Sequence, residues 1–215
     1  AALIDRITLL EKRAQETSPQ DCTAWRQLYC QARQLRAGIH LAMLDAPLLF
    51  VKRHPYFAGH IYDDFYTWHP GGGIYALQAP DNPGSGRKAR PVIDPQTDQT
   101  LGGGVYRDPE LSWDAGRIVF AHKPASDDVT SIYEVGLNGG GLRRLTESVD
   151  HHDVAPCYLP DGRVVFLSTR ARALVPCFNS GVATLHTINA DGSGLRAISV
   201  NNVNEFDPAV LPDGR

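Results

Sequence analysis

A repeated segment constrains the fold of this chain more than any other feature of its sequence. Residues 154–170 contain a Pro-Asp-Gly turn followed by a β-branched, apolar run, which is typical of a strand. An earlier copy covers residues 108–120, and a later copy, without its strand, covers residues 207–215. Phe120 and Phe166 lie 46 positions apart, whereas Pro156 and Pro208 lie 52 apart. Repeats at this period indicate stacked structural units.

Each copy is followed by further strand patterns in the same order. The first full unit continues at residues 131–135 and 142–146, and the second at 184–188 and 195–199, with an Asn-Gly or Asp-Gly turn in each. The segment around Pro109 or Pro156 could supply a fourth strand. Residues 47–93 fit as a degenerate earlier copy, with strands near Leu48, Ile74 and Lys88.

Four short antiparallel strands at this period predict the blades of a β-propeller. The sequence therefore predicts an all-β fold, a partial propeller of about three to three and a half blades within residues 46–215. A β-sandwich with irregular loops is the alternative. It is less favoured because a sandwich does not require each turn and strand to reappear in the same order.

Residues 1–45 have a helical pattern and form the predicted N-terminal segment. Ser18-Pro19 has the composition of a helix start, with serine as N-cap and proline at the first helical position. The second helix is predicted to end near Gly38. These helices carry no recognisable chemistry and are interpreted as a structural appendage.

Composition excludes several classes of function. The 215 residues have a net charge of -3, which provides no basic face for nucleic acid, and no apolar run approaches the length of a membrane span. The chain begins Ala1-Ala2, so we expect a processed product or a piece of a longer polypeptide. Its four cysteines leave the compartment open, and Cys157 could pair with Cys177.

The best-preserved copy, at residues 153–170 and 185–199, closely resembles the TolB-like, or PD40, repeat of six-bladed propellers. A more specific similarity is to the middle, propeller-bearing region of hydrazine synthase alpha-subunit-like proteins of planctomycetes. The resemblance covers roughly residues 45–215 and implies a propeller scaffold and an exported, periplasmic location. The stretches that carry it are Leu49-Phe50-Val51-Lys52-Arg53, Gly59-His60-Ile61-Tyr62-Asp63, Gly71-Gly72-Gly73-Ile74-Tyr75, residues 106–112 and residues 158–163.

The same resemblance raises the question of haem. The hydrazine synthase subunit attaches c-type haem through Cys-x-x-Cys-His, and no such motif occurs here, since Tyr158 follows Cys157 and Phe178 follows Cys177. Hydrazine synthesis is therefore not carried over to this chain. We expect no cofactor within these residues, apart from the metal site considered below.

A dense aromatic and acidic loop is the first candidate site. Loops on a rigid scaffold often carry function, and aromatic rings beside carboxylates suit a sugar or a peptide. The alternative is a loop that folds onto the propeller and fills gaps. The candidate ligand-binding residues are His54, His60, Tyr62, Asp63 and Tyr66.

The run Asp150-His151-His152-Asp153 is the second candidate. In an extended segment His151 and Asp153 share one face, so at most two ligands converge locally. A third, such as Cys157, His186 or Asp207, must come from elsewhere. The hypothesis is a metal site formed by His151, Asp153 and Cys157. The alternative is a polar blade-to-blade loop in which Asp153 caps a turn, as Asp108 and Asp207 would at nearby positions of the other copies.

Motifs for catalysis are absent. The sequence has no Gly-x-Ser-x-Gly nucleophile elbow, and its glycine clusters lack the Lys-Ser/Thr of a phosphate loop. The sequence favours a non-catalytic scaffold or binding module of a larger exported protein. The expected partners are the rest of its own polypeptide and other proteins, but not nucleic acid. The alternative is the propeller region of a haem- or metal-dependent oxidoreductase whose catalytic groups lie outside these residues.

Overall fold

The computed structural model describes residues 2–42, 44, 46–54, 68–78, 88–94, 101–211 and 213–214. These residues form two compact units, a helical unit that extends to Pro47 and a β unit that begins at Leu48. Of the helices described, none is long and apolar enough to cross a membrane.

The helical unit is a pair of antiparallel helices, α1 (Ala2–Glu16) and α2 (Cys22–Ala42), which pack on each other. The predicted start of α2 was wrong. Asp21, three residues after Ser18, caps the helix, because its Oδ1 accepts the Ala24 backbone N–H at 2.9 Å. Gly38 does not end α2 but lies exposed within it, so helix propensity alone did not decide the boundary.

The β unit contains three antiparallel sheets, which confirms the predicted partial propeller. Blade 1 has three strands, and blades 2 and 3 have four each, in sequential order. The segments around Pro109 and Pro156 form the predicted fourth strands. The strands are β1 (Leu48–Lys52), β2 (Gly73–Leu77) and β3 (Ala89–Ile93) in blade 1; β4 (Val105–Leu111), β5 (Arg117–Lys123), β6 (Ser131–Gly136) and β7 (Arg143–Arg144) in blade 2; and β8 (Asp153–Tyr158), β9 (Val164–Ser168), β10 (Thr184–Ile188) and β11 (Arg196–Ala197) in blade 3.

An aromatic pair recurs at the same register in all three blades. The ring centroids of Phe50 and Tyr75 are 5.8 Å apart, those of Phe120 and Tyr133 are 5.9 Å apart, and the equivalent distance from Phe166 to His186 is 6.0 Å. Each pair lies directly opposite across two neighbouring strands. This alignment makes β1 and β2 the equivalents of β5 and β6, so blade 1 lacks an equivalent of β4 among the described strands.

The hydrophobic core lies between the blades. One cluster combines residues of blade 1, such as Ile74 and Ile93, with Tyr106 and Phe120 of blade 2. A second cluster combines blade 2 with blade 3 and contains Val119, Ala121, Ile132, Leu145, Tyr158, Val164, Phe166 and Ile188. Blades are therefore stabilised mainly by burying apolar surface against the next blade.

The first strand of each unit bends before its proline. Asp108, Ala155 and Asp207 have φ values of 51°, 48° and 42°, and the strand register shifts beside the first two. Asp108 and Asp207 thus align with Ala155, two positions after Asp153. The Asp108 carboxylate accepts the Ala155 N–H at 3.2 Å and joins blades 2 and 3.

Candidate functional site

The described residues of the two predicted sites, apart from Cys157, lie at the same end of their blades. This end, here called the loop face, carries the connections β1–β2, β5–β6 and β9–β10 and those between blades. The backbone N–H of Gly71, before β2, donates to the Gly104 carbonyl oxygen, before β4, at 2.9 Å. At the next junction the direction is reversed, since the Asp153 N–H of β8 donates to the Thr130 carbonyl oxygen, before β6, at 2.9 Å. In the same direction, the Glu205 N–H donates to the Ala183 carbonyl oxygen at 3.0 Å. The connections β1–β2, β5–β6 and β9–β10 therefore each end beside the start of the next unit.

Of the aromatic candidate residues, the structure describes His54, which follows the end of β1 at the loop face. His54 is exposed, and its ring lies against Gly71, where a Cβ would come within 2.9 Å of the imidazole. His60, Tyr62, Asp63 and Tyr66 lie outside the described residues. The ligand-binding role of this loop stays a prediction.

The three candidate metal ligands are engaged separately. His151 Nδ1 lies 2.9 Å from an Asp150 carboxylate oxygen, whereas the buried Asp153 carboxylate accepts two hydrogen bonds of 2.9 Å from Arg170. Cys157 is buried four positions along β8, and burial, followed by the Glu110 charge, raises the pKa of its thiol. Cys157 and Cys177 are both free thiols.

Within the described ranges, no three His, Cys, Asp or Glu side chains converge in a way that could hold a metal ion. Asp153 has a guanidinium as its partner, and Cys157 lies four residues farther along β8, opposite Val165, whereas Asp153 lies opposite Ser168. A metal site at His151, Asp153 and Cys157 stays a prediction, and it requires the ion pair between Arg170 and Asp153 to break.

Two histidines near the loop face are buried, and of these only His152 was singled out from the sequence, within the candidate metal run. His122 packs between the rings of Tyr106 and Tyr133, with centroids at 4.4 and 5.8 Å. Burial lowers the pKa of His122 to about 4. The Gly103 backbone approaches the ring and opposes this shift, but neither ring nitrogen has a hydrogen-bond partner among the described residues.

His152 docks blade 3 onto blade 2. Its Nδ1 accepts the Thr130 backbone N–H at 3.2 Å, and burial, with the nearby charges of Lys123 and Arg107, lowers its pKa to about 4. The Thr130 hydroxyl also lies 3.2 Å from this nitrogen, the spacing of a nucleophile and its base. Because both side chains are buried and the nitrogen already serves the backbone, the pair is structural.

A shallow pocket of about 300 Å³ opens above His152 on the loop face. Asp150 and Arg172 form an ion pair at its rim. The Asp150 pKa is lowered by its hydrogen bond to His151 and by the Arg172 charge. Because this pocket is small, open and lined by polar groups, it is suited to contact with a protein side chain or a small polar group.

The opposite end of blades 2 and 3 is closed by a polar cluster. The buried Glu134 carboxylate accepts the Tyr158 hydroxyl at 2.8 Å and is paired with Arg117 and Arg143. Burial and this carboxylate raise the Tyr158 pKa. The Trp113 indole N–H donates to the Tyr158 backbone carbonyl oxygen at 3.2 Å. All of these groups have partners, so the cluster joins blades and offers no free reactive group.

Comparison with known proteins supports the fold. No protein-family profile matches the sequence, and no curated protein matches it. Among solved structures, TolB from Agrobacterium tumefaciens is similar with 21% identity and a TM-score of 0.50, over 67% of this chain and 43% of that one. Hydrazine synthase from Kuenenia stuttgartiensis is similar with 16% identity and a TM-score of 0.59, over 80% of this chain and 27% of that one.

These likenesses show the fold, which is that of a TolB-like propeller. The chain spans less than half the length of either similar protein. A shared fold does not determine function, which depends on the residues of the site itself.

Proposed function

We propose that this chain is a non-catalytic scaffold and binding module, formed by consecutive blades that dock onto further blades of a longer, exported polypeptide. The observation that supports this proposal is the uneven burial of equivalent residues. Leu145 of blade 2 is 6% exposed because blade 3 covers it, whereas the equivalent Ile198 of blade 3 is 50% exposed. Val154 and its equivalent Phe206 differ in the same way, at 1% and 48%.

The other end of the blade row is also open within the described residues. β5 pairs with strands on both sides, but β1 pairs with β2 alone. An open strand edge and a half-exposed apolar face both invite association with another chain or blade. The loop face, with His54, His60, Tyr62, Asp63 and Tyr66, is the proposed surface for protein or small-ligand binding.

Light scattering of the purified chain tests the docking role. We expect concentration-dependent self-association, because the two open ends are apolar or unpaired. The double variant I198E/F206E should reduce it, since charges on a docking face oppose association. I4E on α1 serves as the matched control because Ile4 is an exposed apolar residue of the helical unit. A cooperative, monomeric wild-type chain at all concentrations would contradict the proposal.

The second candidate function is the propeller region of a haem- or metal-dependent oxidoreductase. The likeness to hydrazine synthase, over 80% of this chain, favours it over other enzyme classes. Any haem would be bound outside these residues, and a metal would use His151, Asp153 and Cys157. Visible absorption and elemental analysis of the purified longer polypeptide test this role. Absence of both a haem band and stoichiometric metal would rule it out.

A further inference from the structure

Blade 3 has a vacancy where blade 2 holds an arginine. The outermost strands β7 and β11 pair at the same register, so that Arg144 lies opposite Tyr133 and Ala197 lies opposite His186. Arg144 and Ala197 are therefore structurally equivalent. The side chain that extends over the third strand of blade 2 is missing from blade 3.

In blade 2 the Arg144 guanidinium occupies a defined site. Its Nη2 donates to the Ser131 hydroxyl at 2.7 Å, and its Nε donates to the Thr146 carbonyl at 2.8 Å. Its Cζ lies 6.0 Å from the centre of the Tyr133 ring, at the outer limit of a cation–π contact. A hydroxyl, a carbonyl and an aromatic face thus bind the cation.

Blade 3 presents the same set of groups around an open pocket of about 410 Å³. Thr184 replaces Ser131, Ser199 replaces Thr146 and His186 replaces Tyr133, while Ala197 contributes only a methyl group. The polar and small residues that line this pocket include Arg170, Thr184, His186, Ala197, Ser199 and Asn201.

The imidazole of His186 adds a hydrogen-bond acceptor. Its Nδ1 lies 2.9 Å from the Thr184 carbonyl oxygen, which can only accept, so Nδ1 carries the proton and Nε2 keeps its lone pair. Among the residues that the structure describes, this Nε2 makes no hydrogen bond. Burial lowers the His186 pKa, which keeps the lone pair free at neutral pH.

The charges around the pocket favour a cation. Arg170 lines the pocket, but both oxygens of Asp153 bind it at 2.9 Å and neutralise it. Glu205 adds a second carboxylate, which accepts Asn201 Nδ2 at 2.5 Å and the hydroxyl of Ser199. Each carboxylate is thus bonded to a residue that lines the pocket, and the pair carries one negative charge more than Arg170 offsets, which favours a further cation.

The equivalent site stays accessible when blades dock. Arg144 remains exposed although blade 3 packs against blade 2, because β7 is the strand farthest from the blade-to-blade contact of β4 and β8. A further blade that docks on blade 3 would leave the pocket beside Ala197 open in the same way.

We propose that the pocket beside Ala197 binds a guanidinium group, supplied either by a free small molecule or by an arginine side chain of another protein. This inference deepens the binding role proposed above, but it concerns the outer strand of blade 3 and not the docking face. The guanidinium would donate to the Thr184 hydroxyl, the Ser199 backbone carbonyl and His186 Nε2.

Methylguanidinium is the probe for this pocket. We expect a titration of the ¹⁵N-labelled full chain to shift the amide signals of Thr184, His186 and Ser199 at millimolar concentrations. A197R supplies a covalent guanidinium and should weaken the response at least about tenfold. Urea and acetate are the neutral and anionic controls. A response to acetate in place of methylguanidinium, or an unchanged response in A197R, would overturn the proposal.

The reciprocal variant R144A tests the equivalence without depending on A197R. It removes an exposed side chain and should create a second methylguanidinium site, seen as new shifts at Ser131 and Thr146. No new site in R144A, together with no shifts in the wild-type chain, would overturn the proposal. Self-association through Ile198 and Phe206 is measured separately, so the scaffold role can stand when guanidinium binding fails.

The source of the guanidinium is distinguished by two further probes. Free L-arginine and a blocked Gly-Arg-Gly peptide carry the same group, but only the peptide places backbone on both sides of it. Tighter binding of the peptide would assign an arginine side chain of another protein, whereas tighter binding of L-arginine would assign a free small molecule. A blocked Gly-Lys-Gly peptide should bind less well than either because it lacks the planar donor fork.

Discussion

Blades 2 and 3 share one backbone plan and differ in the side chains that complete it. Thr146 accepts the Ile132 N–H at 3.0 Å, and Ser199 accepts the Leu185 N–H at 2.8 Å at the equivalent place. His152 accepts the Thr130 N–H, and Asn204 accepts the Ala183 N–H at 2.7 Å. The role of each position is kept while the residue changes, because a backbone donor that is buried needs an acceptor of any kind.

The differences between the two blades are concentrated where polar side chains are buried. Blade 3 has the ion pair of Asp153 and Arg170, whereas blade 2 has Tyr106 and Pro124 at these positions. Blade 2 has a buried His122, where blade 3 has Ser168. Apolar positions such as Phe120 and Phe166 do not differ in this way. The blades therefore diverge in polar contacts around a constant apolar core, and this contrast can be tested.

The largest effect is expected from R170M. This change leaves the fully buried Asp153 carboxylate without a counter-ion, and we expect a loss of about 3–5 kcal/mol in the free energy of unfolding. Urea denaturation followed by circular dichroism measures it. R172M is the matched control, since it breaks an exposed ion pair and should cost about 1 kcal/mol or less. Equal costs for the two variants would show that Asp153 is hydrated and not buried.

The next largest effect compares the equivalent faces of blade 2, which blade 3 covers, and of blade 3, which is half-exposed. L145A removes a side chain packed between blades 2 and 3 and should cost about 2–5 kcal/mol. I198A changes the equivalent residue on the half-exposed face and should cost about 1 kcal/mol or less. Thermal and urea unfolding of the two variants measure both values. A similar loss in both would mean that the blade 3 face is already covered and would contradict the docking role.

The blades themselves could be predicted from sequence because their signals are local and periodic. Pro160-Asp161-Gly162 and Asp191-Gly192 fix turns, and the apolar runs between them fix strands, so the repeat determined strand order before any long-range contact was known. The prediction that α2 begins at Ser18-Pro19 was wrong because the local signal there is ambiguous. Ser18 and Asp21 are both good caps, and only the contacts of the whole hairpin decide between them.

The polar contacts could not be predicted because they depend on register between blades. Nothing in the sequence near His152 states that its imidazole accepts a hydrogen bond from Thr130, 22 positions earlier. The guanidinium pocket did have a sequence signal. Leu142-Arg143-Arg144 aligns with Leu195-Arg196-Ala197, and the single change from arginine to alanine marks the vacancy.

A smaller effect concerns acid stability and His122. Its pKa is about 4 in the folded chain and 6.5 when unfolded, so the unfolded state binds a proton first as the pH falls. The contribution of His122 to the free energy of unfolding is complete above pH 6.5 and is lost as the pH falls from 6.5 to 4. The loss amounts to about 3 kcal/mol.

H122F keeps the aromatic packing with Tyr106 and Tyr133 and removes the titration. We expect its unfolding free energy to fall less than that of the wild-type chain between pH 6.5 and 4, as followed by urea denaturation at several pH values. H40F on α2 is the control, since it replaces a histidine of the helical unit. Parallel pH curves for H122F and the wild-type chain would place His122 in contact with water.

The smallest expected effect tests whether the two blades are interchangeable at their docking acceptor. H152A leaves the buried Thr130 N–H without its acceptor and should cost about 1–3 kcal/mol. H152N installs the residue that blade 3 uses at Asn204 and should recover part of this loss, because an amide oxygen can accept the same N–H. Unfolding free energies of the three chains at pH 7 measure the recovery. If H152N were no more stable than H152A, the shared role of His152 and Asn204 would be wrong, and His152 would stabilise the joint through packing alone.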